Sequence, residues 1–511
     1  MILSQMIFPP KQEDAKKPLY LRGEAVLHGE GGLELPEGAQ VRFDTYFNAF
    51  FYGAYLRYCH VEQVCAVLIT SGTLELTLSM LDQSGRERVL FRRDVSGDEI
   101  TTSFPACRLA ELPDSGALFL VCRARTSRAR IHQGWFEAVQ TQPVPVKVAA
   151  VICTYRREES VRRNLQRLAA LTGPGNLISG ELDVLVIDNG NSLPPSELSG
   201  AAVIPNKNWG GSGGFARGML EARRRGGYTH VLLMDDDISF ESETLVRTIQ
   251  FLKAARQTER PLCVGGQMLL ENQPLIQFES GADYRNGRLV AYGRGLDLSN
   301  RRALLENAEE APAQYNAWWY CCIPVSAIEK YGFPMPFFIK TDDVEYGLRL
   351  KPQIVLVNGI GVWHMAFSEK YSPHLEYYIK RNELTASAVH GSGAGGWPGL
   401  YKLLKSAAKA FLKGDAHTLC FLCRACRDFL EGPDFFLKTD AEELNQRLLD
   451  ELKAEPARCW SHVPALLRAL GSFALRYGEV RSEYQRRLPE LVSGEFWQIR
   501  LGCGEEEHDQ S

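Results

Sequence analysis

The chain has 511 residues, 45% hydrophobic and 23% charged, with a formal net charge of −4. That length exceeds one hydrophobic core and points to two to four domains, and the composition is that of an ordinary soluble globular protein rather than a disordered or fibrous one. The charge balance argues against nucleic acid as a partner, the absence of any apolar run near ~18 residues argues against a membrane span, and 13 scattered cysteines point to reduced thiols in a cytoplasmic setting.

Residues 1–146 read as β-structure. TLELTLSML alternates Leu74, Leu76, Leu78 and Met80 with Thr73, Glu75, Thr77 and Ser79, and VLFRRDV and ALFLVCRAR are further short strands between turn residues. Regular short strands suggest a β-sandwich or barrel. FDTYFNAFFYGAYLRY (43–58) reads as core or interdomain packing, and the Pro-punctuated QTQPVPVKV (140–148) as a linker.

From residue 147 to 385 the pattern becomes α/β. VAAVICT is an apolar strand, a helix carrying Val161, Leu165 and Leu168 on one face follows, then LDVLVID, a Gly-rich turn running into a helix (NWGGSGGFARGM, 208–219), and HVLLMDDD. Apolar strands alternating with helices predict a mainly parallel, Rossmann-like sheet that binds ligands at the carboxyl ends of its strands. Polar clusters fall at three such ends: Thr154–Arg157, Asp188–Gly190 and Asp235–Asp237.

Residues 386–511 read as a helical domain. YKLLKSAAKAFLKG sets Leu404, Ala408 and Phe411 on one side and repeats Lys402, Lys405, Lys409 and Lys413 at helical spacing, either a solvated face or a contact with an anionic membrane surface. Cys420, Cys423 and Cys426 suit one helix face and lack the fourth ligand of an iron–sulfur run. The tail EEEHDQS is expected to be disordered.

Three adjacent carboxylates repel one another, so either they leave the sheet as a solvated turn or a cation lies beside them. At an extended strand end Asp235 and Asp237 point the same way, and two hard carboxylates suit Mg2+ or Mn2+ carrying a diphosphate. The Gly-rich stretch matches no established phosphate-loop pattern but could offer amides to an anion. Trp318 and Trp319 in NAWWYCCIP are core residues by default, or one indole is a sugar platform. Asp342 and Asp343 in FFIKTDDVEYGLRL cap a helix or supply a general base, and His364 in GVWHMAF is a core histidine or a nitrogen ligand for Mn2+.

VICTYRR, VIDNG, NWGGSGGFARGM, LLMDDDI, NAWWYCCIP, PFFIKTDDVEYGLR and VWHMAFSEKY occur in this order. Together they resemble the galactan-polymerising galactofuranosyltransferases of mycobacteria and their bacterial relatives, within the inverting glycosyltransferase family 2 of GT-A fold. The resemblance extends over nearly the whole chain. It implies Asp235, Asp237 and His364 as ligands of Mn2+ or Mg2+ and Asp343 as catalytic base. It implies Arg157, Asp188, Asn208, Gly210, Gly211 and Asp236 on the donor side, and Trp318, Trp319, Asp342 and Glu279 on the acceptor side. It implies a UDP-sugar donor, UDP-galactofuranose, a glycan or glycolipid acceptor, peripheral contact with the inner face of the cell membrane, and room for a homo-oligomer. The chain departs from the family at Thr341 and Phe367, where the family has Trp, and at Ile379, near a family His. The rival readings are another donor such as a rhamnosyl nucleotide, and a non-catalytic carbohydrate-binding protein. A transferase that forms a new sugar diphosphate would need a basic Gly-rich signature, which is not found.

Overall fold

The computed structural model describes residues 1–9, 13–27, 32–173, 175–194, 200–285, 288–366, 372–391, 396–454 and 458–503. The terminal heptapeptide and Phe367 lie outside them. The alternating stretch lies within one strand, Gln63–Asp82. One edge pairs with Glu87–Ser103. The other pairs first with Ala129–Val139 and then with Gly116–Ala124. All pairings here are antiparallel, and eleven strands join into one continuous sheet.

Leu74, Leu76 and Leu78 are buried as the alternation requires, but Thr77 and Ser79 on the other face are buried too. A second apolar layer accounts for this. Phe119 and Val121 from the neighbouring strand cluster with Tyr20, Tyr46 and Phe47, and with Leu269, Leu298 and Trp363 of the following region. Phe47 lies 5.7 Å from the Trp363 ring. Within the aromatic run 43–58, Phe43, Phe50, Tyr52 and Tyr55 are core, and Tyr46 and Phe47 pack against the following region and back the strand that ends in His364.

In the middle region Val148–Thr154, Leu182–Asp188, Ala201–Pro205 and His230–Asp235 are parallel neighbours. The strand Tyr320–Pro324 then enters antiparallel between His230–Asp235 and Leu262–Leu270, and Gln353–His364 runs parallel to the latter. The nine-stranded sheet is thus mixed, where a mainly parallel one was expected. An apolar run such as YCCIP carries no signal of strand direction; direction follows from the connections around it.

The helix Glu158–Thr172 buries Val161, Leu165 and Leu168 as predicted. The Gly-rich stretch is not a loop before a helix, because the helix Gly210–Arg225 starts at its first glycine pair. A Cβ on Gly214 would stand 2.1 Å from the Cys153 sulfur, and one on Gly218 2.1 Å from Val151 Cγ1. These glycines let the helix lie directly on the Val148–Thr154 strand.

The helices Ala416–Leu430, Ala441–Lys453, Cys459–Leu491 and Gly494–Leu501 share one apolar cluster with the middle region. Trp497 meets Trp209 edge to face at 6.0 Å. The expected boundary at residue 386 falls inside the continuous helix Leu375–His390, so the backbone has no break there.

Candidate active site

The three aspartates do not behave as a uniform strand end. The strand stops at Asp235, whose N–H donates to the Trp319 carbonyl, and Asp236 and Asp237 form a turn. Asp236 is turned inward: its carboxylate accepts from Thr154 Oγ1 at 2.7 Å and from Arg157 Nη1 at 2.9 Å, and its carbonyl accepts from Asn164. Burial pushes the Asp236 carboxyl up, against the opposing pull of Arg157 and Thr154. Asp235 and Asp237 face His364, and one ligand atom from each of the three lies within 4.8 Å of the others.

His364 is buried at the end of Gln353–His364. Its Nδ1 lies 2.6 Å from the Met365 carbonyl, which makes Nδ1 the protonated nitrogen and turns the Nε2 lone pair toward Asp237 Oδ1 at 3.1 Å. Nε2 is 3.9 Å from Asp235 Oδ2. Three lone-pair donors converging on one point fit a divalent cation, and an N,O,O set accommodates Mn2+. Arg157 Nη1 reaches Asp237 Oδ2 at 2.7 Å and offsets part of the same negative charge.

Around this cluster the donor-side residues divide into two kinds. Asp188 is buried and accepts from the amides of Gly190, Ser192 and Leu193, so it holds the loop after its strand. Asn208 accepts from the Gly210 N–H at the start of the helix Gly210–Arg225. Gly210 has φ +63, and a Cβ there would lie 2.2 Å from the Phe338 carbonyl oxygen. Gly211 lies beside Asp342, its Cβ position 3.8 Å from Oδ2. An open cavity of about 460 Å³ lies next to these groups, lined by Tyr155, Asn189, Asn191, Asn206 and Asn208 and by Glu442 of the C-terminal helices.

Asp342 and Asp343 begin the helix Asp342–Leu350. Asp342 is buried and accepts from Ser212 Oγ at 2.8 Å. Asp343 accepts only from the Val344 N–H among the bonds described. Burial, the neighbouring Asp342 carboxylate and Glu279 all push the Asp343 carboxyl up, opposed by the Val344 amide. Glu279 is itself buried, pushed up to about 7, with no hydrogen-bond partner for Oε1 among the described residues. Asp342 is tied through Ser212 to the helix Gly210–Arg225, which lies on the Val148–Thr154 strand, the neighbour of the strand that ends in Asp235.

The segment leading into this pair is unusual. Phe338, Lys340 and Thr341 have φ of +72, +68 and +71. Left-handed backbone at non-glycine residues costs about 1–3 kcal/mol each and persists where the surroundings impose it.

Trp318 and Trp319 do not form an exposed sugar platform. They are 5% and 3% exposed. Trp318 packs edge to face on Phe215 and Tyr346, and Trp319 Nε1 donates to the Gly266 carbonyl at 2.9 Å. The Trp319 backbone carbonyl accepts from the Asp235 N–H at 3.3 Å and so joins the pair to the end of that strand. Sequence reasoning missed Ser212, Asn164, Asn382 and Glu442, which are ordinary polar residues whose role depends on long-range packing.

A profile described as glycosyltransferase-like family 2 matches residues 145–382. The galactofuranosyltransferase GlfT2 of Mycolicibacterium smegmatis is 30% identical over 433 residues, 79% of this chain and 66% of that protein. GlfT2 of Mycobacterium tuberculosis is 28% identical over 475 residues, 85% of this chain and 73% of that protein. The chain thus spans about two thirds to three quarters of the length of these relatives. Among solved structures, a mannosyltransferase from Pyrobaculum calidifontis in complex with GDP-mannose and Mn2+ is similar at 15% identity and TM-score 0.34, covering 66% of this chain and 89% of that one.

Proposed function

The chain belongs to glycosyltransferase family 2, and from that premise we propose that it moves galactofuranose from UDP-galactofuranose onto a hydroxyl of a growing, lipid-linked glycan, with inversion at the anomeric carbon. The mixed sheet is read as a GT-A core and the curled N-terminal sheet as a jelly-roll-like sandwich. The observation that carries the reading is the convergence of Asp235, Asp237 and His364 at the carboxyl ends of two strands, beside the Asp342–Asp343 pair.

Asp235, Asp237 and His364 would hold Mn2+ or Mg2+, which when bound neutralises charge on the departing diphosphate. Arg157 adds a fixed positive charge on the same side, and the amides and asparagines of the adjoining cavity hold the nucleotide. Asp343 accepts the proton of the acceptor hydroxyl while the new C–O bond forms and the bond to the diphosphate breaks. Its raised carboxyl, once ionised, is a stronger base than an ordinary aspartate. One base and one displacement invert the configuration; Asp342, tied to Ser212, positions the helix start.

The second reading, a different donor sugar, is favoured by Thr341, which leaves space where the family has an indole. Fewer polar partners around the sugar lower discrimination rather than abolish transfer. We also propose a cytoplasmic location with peripheral membrane contact. Trp397, Tyr401, Leu404 and Leu412 recur on one exposed face of the helix Gly396–Leu412, Lys405, Lys409 and Lys413 flank them, and Trp460, Leu467 and Leu475 are exposed on the adjacent helix. Among the described residues no helix is long and apolar enough to cross a membrane.

The test is release of nucleoside diphosphate in Mn2+ from UDP-galactofuranose, UDP-galactopyranose, UDP-glucose and dTDP-rhamnose with a galactan acceptor. Release from UDP-galactofuranose is expected, abolished by EDTA and by His364→Ala. Release from dTDP-rhamnose alone would move the donor assignment, and undiminished turnover in excess EDTA would remove the metal from the mechanism.

A further inference from the structure

The left-handed segment before the aspartate pair is held by two residues of the helix Leu375–His390. Asn382 is fully buried, and its Nδ2 donates to the carbonyls of Lys340 at 2.8 Å, Ile339 at 2.9 Å and Phe337 at 3.3 Å. Its Oδ1 accepts from Arg381 Nε at 2.9 Å and Nη2 at 2.8 Å. That pair of bonds decides which way the amide points, because a guanidinium can only donate. Arg381 Nη2 also donates to the Phe337 carbonyl at 2.8 Å. Arg381 is in turn fixed among Tyr377, Tyr378, Phe435 and Phe436, with ring centroids 5.1–5.4 Å from its guanidinium carbon.

The carbonyls that Asn382 gathers belong to the stretch in which Phe338, Lys340 and Thr341 take positive φ. Three carbonyls aimed at one amide require a tight backbone reversal, and neither a β-branched threonine nor a phenylalanine adopts positive φ unaided. The helix start that carries Asp342 and Asp343 follows directly.

We propose that Asn382, oriented by Arg381, is a positioning residue for Asp343: it fixes the backbone from Phe337 to Thr341 and so aims the carboxylate into the cleft. The catalytic part rests on the glycosyltransferase reading above. A reacting group displaced by about 1 Å loses roughly 10²-fold in rate. The helix Leu375–His390 thereby bears on the chemistry through the backbone it holds.

The experiment compares the full chain with Asn382→Ala by peptide-resolved hydrogen exchange, by UDP binding in Mn2+ and by turnover across pH. Exchange over 337–345 is expected to rise about tenfold while the 148–154 strand keeps its protection. kcat should fall roughly 10²-fold with UDP affinity within about twofold. The acid limb of the kcat profile should move to lower pH as Asp343 leaves its acidic neighbours. Adding Thr341→Gly to Asn382→Ala should return about tenfold of the lost kcat, since glycine takes this φ freely. Asn382→Ser, which cannot span to the carbonyls, is read in the same way if Asn382→Ala does not fold. Unchanged exchange over 337–345, or a kcat loss matched by the loss of folded protein and not recovered by Thr341→Gly, overturns the proposal. A parent chain silent toward every nucleotide sugar refutes the glycosyltransferase reading, while the exchange comparison still decides whether Asn382 holds the segment.

Discussion

Asp343, the proposed base, combines burial with two acidic neighbours, and this has a consequence in pH. Its carboxyl is raised, so it is protonated and inactive at the acid end, and kcat should climb as pH rises through the neutral region. Glu279→Gln removes one of the charges that raise it, so the acid limb should move to lower pH. A limb that stays in place would separate Glu279 from the base. Asp343→Asn should lower kcat by roughly 10²-fold or more with donor binding little changed. Near-normal turnover would make Asp343 a helix cap only. The carboxylates at the ends of apolar runs were legible in the sequence because burying unpaired charge is costly, so such a pattern has a reason. The tryptophan pair was not, because the sequence of an indole is the same whether it faces a sugar or Gly266. Asn382 left no signal at all: an amide in a polar-looking helix stretch declares its partners only once the Phe337–Thr341 carbonyls are in place.

The helix Gly396–Leu412 carries its prediction in its three faces. Leu403, Ala407 and Ala410 pack inward, the lysines form a second stripe, and Trp397, Tyr401, Leu404 and Leu412 are left outward. Co-sedimentation with anionic liposomes is expected at low salt, weakening as salt rises, since each lysine near the surface contributes about 1 kcal/mol. Lys405, Lys409 and Lys413 changed to Gln should lower binding further at low salt and leave it less sensitive to salt. Absence of binding at low salt would return the stripe to solvent. The lysine periodicity could be read from the sequence; the outward aromatic stripe could not, because periodicity groups Leu404 with Ala408 and Phe411 without saying whether that side packs or, as here, faces out. Strand existence was likewise legible from Val148 onward, and strand direction at Tyr320–Pro324 was not, since a short apolar run is identical read either way.

At the scale of the whole molecule, the β-region does more than precede the catalytic one. Phe47 and Tyr46 press on Trp363, the residue before His364. Phe47→Ala should cost about 3–5 kcal/mol and lower Tm. It should also weaken Mn2+-dependent UDP binding, because the strand end that presents Nε2 loses its backing. A lower Tm with unaltered affinity would confine the brace to stability. The helix Leu375–His390 has a different kind of consequence. It begins beside the cleft and runs without interruption into the C-terminal bundle. A chimera that exchanges acceptor-side helices between relatives at residue 386 would cut a rigid rod and replace the partners of Tyr377, Tyr378 and Arg381 in one stroke. Recombination has a better crossover in the Pro-punctuated stretch 140–147, which keeps the middle region and the C-terminal helices together as one cassette.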